Sequence, residues 1–527
     1  MKNKGFHGAK VLIVCFLCVS IVFPLVTLFL NINGKDIQQV TSSPQFLPMI
    51  NHSLITTSIA TILSVSIALL LAWCINRSNI KYKSVFSVLF TVPMLIPSIS
   101  HGMGLVLLFG DNGIITNLLG ININLYGYTG IIIGSILYSF PVAFLMLTDI
   151  FRYEDYTTYE AASVLGLTKK QQFFQITLAN LRKPMISVIF AVFTMIFTDY
   201  GVPLVVGGKI TTLPVFMYRE VIGLLNFSKG AIIGAILLIP AVIAFVLDLI
   251  NEDNSNTSTV TKEYYIQENK KRDLLSYFVC IFTVLLAALP IFTFAYLSIV
   301  KQYPIDMSLS FVNIKQAFDL GLGMYLVNSL AIALSTALVG TACSYFTAYL
   351  TARSKKSLSN LSLHLISMLS LAIPGIVLGL SYVLFFNGSM IYGTIAIIVL
   401  VNIVHFYASP YLLAYNSLSK FNKNLEDIST TMGISKFRML LDVYIPCTLD
   451  TIIEMFSYMF VNAMVTISAV SFLVNFKVMP LALLIPQFDS QSLIEATAFI
   501  SIMILIVNAT VKLCVYMMKK RIVKKEL

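Results

Sequence analysis

Twelve apolar stretches of close to 20 residues punctuate the chain, and they limit its folds more than any other feature, because about 20 apolar residues in a helix cross the hydrocarbon of a bilayer. They fall near 11–31, 53–75, 84–109, 129–150, 185–205 and 231–250, then near 274–300, 324–351, 359–386, 391–415, 449–473 and 492–518. Backbone groups in lipid must pair within their own segment, so each stretch is expected to be a helix. The expected fold class is therefore all-α, a polytopic membrane protein of about 12 transmembrane helices. Charge agrees with this: 11% of the 527 residues are charged, against about a quarter in a soluble domain. A cytosolic globular enzyme is excluded, and little chain is left for a large domain outside the bilayer. The first stretch is longer than a signal-peptide core and lacks a small-residue cleavage site, so it is expected to stay as an anchor.

Basic residues fix the expected sidedness. With the N-terminus inside, 27 Lys and Arg fall on the cytoplasmic side and 7 outside, with Lys512 near the end of the last span. Both termini are then cytoplasmic. The net charge of +11 is this topogenic bias and implies no nucleic acid partner; the partner it implies is the lipid bilayer. The seven cysteines lie mostly in apolar runs. They indicate neither a disulfide framework nor a metal site, and Cys15 and Cys18 form a CxxC only inside an apolar helix.

The chain repeats itself. Ser53-Leu54 and Arg77-Ser78 recur 276 residues later as Ser329-Leu330 and Arg353-Ser354, while Ile96-Pro97 and Gly102 recur at 277 as Ile373-Pro374 and Gly379. Six spans separate the copies, an even number, so the repeats are parallel. The expected organisation is a permease-like half over 1–250, a polar linker over 251–273 and a second half over 274–527. Two six-helix repeats of this kind indicate a transporter.

Between the fourth and fifth spans of each half lies the most informative segment. In the first, Thr157 and Glu160, then Thr168 and Gln171, have capping-box spacing, and Gly166 stands where a helix ends with positive φ. In the second, 267 residues on, Asn424 stands three before Asp427, Gly433 is the break and Ser435 caps the next helix, which runs to Ile445-Pro446. Two helix–turn–helix units on equivalent loops suit two copies of one partner. Glu160-Ala161-Ala162, Gly166 and Ile176-x-Leu178 resemble the EAA motif of type I ATP-binding-cassette (ABC) importer permeases. Asp427-Ile428-Ser429, Gly433 and Val443-x-Ile445-Pro446 form a degenerate second copy, and Ala179 replaces the final proline in the first. The resemblance implies docking on two cytoplasmic ABC ATPase subunits, through Glu160, Ala161, Ala162, Gly166, Asp427, Gly433 and Pro446.

No GxxxxGK[ST] occurs, and Gly207-Gly208-Lys209-Ile210 lacks its spacing and hydroxyl residue. The chain is therefore not expected to be an enzyme or to carry a cofactor, ATP and Mg residing on the separate ATPase. Short outer loops leave capture to an extracytoplasmic substrate-binding protein. The location implied is the bacterial cell membrane. A secondary transporter also has two parallel halves, but its intramembrane candidates would be only Asp199, Glu454, His101, His364 and His405. HExxH and GxSxG are absent, which speaks against a membrane enzyme.

Polar residues inside spans mark a candidate path for the small-molecule solute: Asp199 and Tyr200 in the fifth span, His405 in the tenth, and Asn462, Thr466 and Ser468 in the eleventh. The fused layout resembles iron(III), thiamine and 2-aminoethylphosphonate importers. Three stretches, Phe197–Pro203, Val404–Tyr407 and Val461–Val470, look most like the aminoethylphosphonate group, which is the expected cargo, with iron(III) or thiamine as the alternative. No resident metal site is expected.

Overall fold

Most apolar runs become single long helices in the computed structural model, with Pro141, Pro184, Pro240 and Pro290 inside unbroken helices. The third, fifth, ninth, tenth and eleventh runs break or end early. The structure describes residues 4–120, 124–152, 154–251, 262, 264–354, 357–422 and 424–526. The helices used below are α1 (Gly8–Leu30), α2 (Phe46–Arg77), α3 (Lys83–Leu95), α4 (Ser98–Leu119), α5 (Tyr128–Arg152), α6 (Thr157–Val164), α7 (Lys169–Phe197), α8 (Gly201–Val206) and α9 (Phe227–Leu247). They continue as α10 (Lys270–Leu297), α11 (Leu322–Ala352), α12 (Leu358–Ala372), α13 (Gly375–Phe386), α14 (Ile395–His405), α15 (Ala408–Ser419), α16 (Asn424–Thr431), α17 (Leu449–Val465) and α18 (Ile494–Arg521). Among the described residues, nine helices are long and apolar enough to cross a membrane, or up to 11 if each bent pair is one span. This is a polytopic all-α membrane protein. A short hairpin, Val300–Gln302 with Asp306–Leu309, is the exception among the described residues.

The expected spans that differ do so for local reasons. The third and ninth break at the repeated Ile-Pro. Proline lacks an N–H and disfavours a helical residue before it; here Ile96 and Ile373 are extended, at φ −119° and −109°. α12 and α13 meet at 108°, and α14 and α15 at 51°. The fifth span ends at Phe197 and restarts at Gly201. The eleventh is only 17 residues, because Thr466 turns extended. Most of the expected linker, 252–261 and 263, lies outside the described residues; its far end is already helical from Lys270.

In space the chain forms two compact units, and these are not the two sequence halves. The first holds Pro44–Phe216 and Ile239–Leu297, so α10 packs with the helices of the preceding half. Contact is close: a Cβ on Gly104 of α4 would stand 2.6 Å from Pro290 of α10. The Tyr277 hydroxyl accepts from Lys81 N at 2.6 Å, and Asp273 accepts from Asn79 N at 2.9 Å. Small residues Ala60, Ala68 and Ala72 let α2 approach its neighbours, and Ser64 bonds Ser139 of α5 at 2.9 Å. The second unit holds Met1–Ser43, Met217–Leu238 and Ser298–Leu527. Here α1 lies with later helices: the Tyr382 hydroxyl of α13 donates to Ser20 O at 2.7 Å, and Phe23 meets Phe385. Each unit thus takes the opening helix of the other half.

Candidate functional site

The two loops that carry the duplicated motif are built on one plan, position by position at offset 267. Each opens with an Asx side chain two residues before its helix: Asp155 accepts from Thr157 N, and Asn422 from Asn424 N, both at 3.0 Å. This corrects the expected caps. Thr157 is the first helical residue and forms no box with Glu160, whose carboxylate pairs with Lys262 instead; Asn424 likewise starts its helix. Each helix then closes at a glycine of positive φ, Gly166 at +80° and Gly433 at +68°. The next amide reaches back to the same carbonyl in both, Leu167 N to Ala162 O and Ile434 N to Ser429 O. Thr168 and Ser435 cap the following turn, Thr168 in a full capping box with Gln171. Both loops run on through one π turn, Phe173–Thr177 and Leu440–Tyr444, a rare element that clusters at functional positions. Pro446 follows the second of these turns.

Just before each glycine stands an exposed apolar side chain, Leu165 (78% exposed) and Met432 (69%). Ala161 and Asp427 are exposed, while Ala162 is buried beneath its helix. A pair of exposed apolar knobs on rigidly capped helices is what a partner groove can grip.

Behind each loop a buried arginine from the end of α2 or α11 holds it. Arg77 pairs with Glu154, which also accepts from the Tyr159 hydroxyl at 2.5 Å; that hydroxyl bonds Thr177 at 2.7 Å. Arg353 grips Glu426 with two nitrogens, at 2.6 and 2.5 Å, and donates to the Phe421 and Asn422 carbonyls. The Tyr444 hydroxyl donates to Glu426 at 2.5 Å. Burial and then the adjacent Glu426 push that hydroxyl up to about 12, so it stays a donor at neutral pH. Burial works against the Arg353 charge, yet Glu426 outweighs it and the guanidinium lies above its ordinary value. Positions 159 and 426 are equivalent, as are 177 and 444. Each half therefore bonds the same two positions with the tyrosine on opposite sides.

The polar residues expected along a path divide between the units. In the first unit Asp199 fills the break between α7 and α8, accepting from Ser98 Oγ at 2.6 Å and from Val202 N at 3.0 Å. It borders a small recess lined also by Ser53, Thr56, Thr57, Ser135 and Thr212, whose cavity volume of about 10 Å³ is close to that of a single water site. The Thr212 hydroxyl there is buried and unpartnered. Tyr200 is fully buried in the packing and does not line this recess. In the second unit Ser468 and His405 crowd Gly375, where a Cβ would lie 2.4 Å from Ser468 Oγ and 3.0 Å from the imidazole. His405 Nδ1 and the whole Asn402 amide are buried without a partner. Asn462 spends its amide on Tyr458 O of its own helix, and Thr466 is the helix end.

Both breaks share a support. Ser53 accepts from Leu213 N at 2.8 Å and Ser329 from Leu481 N at 2.6 Å. Gly102 backs onto Val202 O and Gly379 onto its equivalent, Ala469 O. Sequence reasoning missed the recess hydroxyls, although Ser53, Thr57, Thr61 and Ser64 recur at helical spacing on α2. It also missed Glu220, 8% exposed with one carboxylate oxygen unpartnered. None of the described residues forms a group of three or more metal-ligating side chains.

A family model described as "Binding-protein-dependent transport system inner membrane component" matches the chain twice, over residues 64–252 and 340–525. The chain is 26% identical to the putative ferric transport system permease protein FbpB 1 of Haemophilus influenzae, over 90% of this chain and 80% of the relative. It is 25% identical to the ferric transport system permease protein FbpB of Actinobacillus pleuropneumoniae, over 90% of this chain and 72% of the relative. Among solved structures, a bacterial alginate ABC transporter in complex with an alginate-bound periplasmic protein matches 47% of this chain and 93% of its own at 16% identity, with a TM-score of 0.38.

Proposed function

The chain belongs to the binding-protein-dependent transport system inner membrane components, and from that premise we propose that it is the fused two-half permease of an ATP-driven importer of iron(III). The permease role rests on the doubled family match, and the cargo rests on two ferric permeases that each align with nine-tenths of the chain. The sequence alone ranked 2-aminoethylphosphonate first; these relatives move iron(III) ahead of it. The polar lining beside Asp199, hydroxyl groups with one carboxylate, does not set this order; the relatives do. The phosphonate stays as the second reading, favoured by the Phe197–Pro203 stretch and by a single carboxylate among neutral donors that could face an ammonium group.

In this reading the loops around 155–180 and 422–447 are cytoplasmic, as the 27 to 7 distribution of basic residues supports. Two separate ATPase subunits, holding ATP and Mg, grip Leu165 and Met432 with the helices behind them. ATP-driven closure draws the loops together, and Arg77 and Arg353 carry that movement into α2 and α11. The breaks at Asp199 and Thr466 then open the path to cargo released by an extracytoplasmic binding protein.

The test is uptake into proteoliposomes holding the chain with its ATPase, with its binding protein supplied outside. Iron(III) should accumulate only with ATP and binding protein present. Uptake of 2-aminoethylphosphonate without iron(III) would reverse the order of the two cargoes, and uptake driven by an ion gradient without ATPase would overturn the importer mechanism.

A further inference from the structure

We infer that Tyr264, a residue between the two halves, is a positioning residue of the first loop; this rests on the permease reading above. The Tyr264 ring lies over the Arg77 guanidinium, 3.4 Å from its carbon to the ring centroid. The same ring meets Tyr159 and Tyr156 edge-on, at 5.1 and 5.2 Å. Two residues earlier, the Lys262 carbonyl accepts from Tyr156 N at 3.0 Å, and the Lys262 ammonium pairs with Glu160 of the EAA-like motif. Lys262 and Tyr264 therefore lie against α6 and the turn before it, while Arg77 holds the same loop from the end of α2.

The second loop explains why the first needs this. There the aromatic ring over Arg353 is Tyr444, supplied by the loop itself, 5.3 Å from the guanidinium carbon. The equivalent position in the first loop is Thr177, whose hydroxyl reaches Tyr159; the rings over Arg77 are instead Phe151 from the end of α5, at 5.2 Å, and Tyr264, at 3.4 Å. Tyr264 is the nearer of the two rings. A guanidinium face sheltered from water is attracted to an aromatic face far more than an exposed pair is, and Arg77 is 3% exposed. The Lys262–Glu160 pair is about half exposed on both sides and belongs to the class that contributes little. Tyr264 is thus the anchor and Lys262 a minor arm. The two loops transmit force through different construction, one with its ring from the loop itself and one completed by Tyr264.

The experiment uses the full chain with its ATPase and binding protein in proteoliposomes, reading cargo uptake and ATP hydrolysis together. Tyr264→Ala and Tyr264→Leu should lower cargo carried per ATP roughly three- to thirty-fold, the range of a lost cation–π contact, with the ATPase still co-purifying. Tyr264→Phe and Tyr264→Trp keep the ring and should keep the ratio, and Lys262→Ala should resemble wild type. An unchanged ratio in Tyr264→Leu overturns the inference. So does a parallel loss of yield, uptake and hydrolysis at constant ratio, which marks a purely structural residue. A wild-type complex whose ATP hydrolysis does not respond to binding protein and cargo overturns the permease reading itself, and the inference with it.

Discussion

At the scale of single residues, the arginines behind the loops carry the sharpest expectation. Arg353 has a side chain 2% exposed and holds a carboxylate and three backbone carbonyls. Removing one partner of a fully buried pair costs about 3–5 kcal/mol, and the loss here is smaller because the stranded Glu426 is 26% exposed. Arg353→Ala should therefore lower the melting temperature of the purified protein markedly, while Arg438→Ala, at an exposed i,i+4 pair with Asp442, should shift it little. Equal shifts would refute the clamp. Arg77 and Arg353 were legible in the sequence, as part of the repeat at offset 276. Their acids were not, because Glu154 and Glu426 occupy non-equivalent positions and only the folded loop brings each to its arginine. The Asx caps could have been found, since Asp155 and Asn422 obey the offset of 267, but the S/T-x-x-E spacing of Thr157 with Glu160 offered a more familiar reading that the fold does not use.

At the scale of elements, the broken helices are where hydropathy misleads. Windows of apolar residues report burial in lipid and are blind to direction, so 359–386 reads as one span although its two parts meet at 108°. The signal for the break was present in Ile96-Pro97 and Ile373-Pro374, and the repeated glycine five residues past each proline packs the broken part against the next break. The two glycines differ in tightness: a Cβ at Gly379 would stand 2.6 Å from the Ala469 carbonyl oxygen, one at Gly102 3.3 Å from that of Val202. Backbone cannot yield as a side chain can, so Gly379→Ala should cost about 1–3 kcal/mol and impair uptake, with Gly102→Ala the milder of the two. Matched thermal shifts and uptake rates for the pair would decide it, and a more severe Gly102→Ala would contradict the packing. The polar residues of the breaks were half legible: Asp199 stood out in an apolar run, whereas the hydroxyls of α2 are ordinary helix residues until α5 and Thr212 close around them.

At the scale of the whole molecule, the halves read from the sequence and the units formed in space exchange their opening helices. No hydropathy pattern records which unit a span joins. Expressed apart, 1–251 and 262–527 should each be unstable in detergent, because each lacks a helix that its main unit needs; expressed together they should co-purify. Two fragments that are each monodisperse alone would contradict the exchange. The exchange also sets a timetable for synthesis. The unit of Pro44–Phe216 and Ile239–Leu297 is complete once α10 has left the ribosome, whereas α1 is made first and its unit's other helices come almost entirely after Ser298. At about 5–20 residues per second α1 waits for tens of seconds before most of its unit has been made.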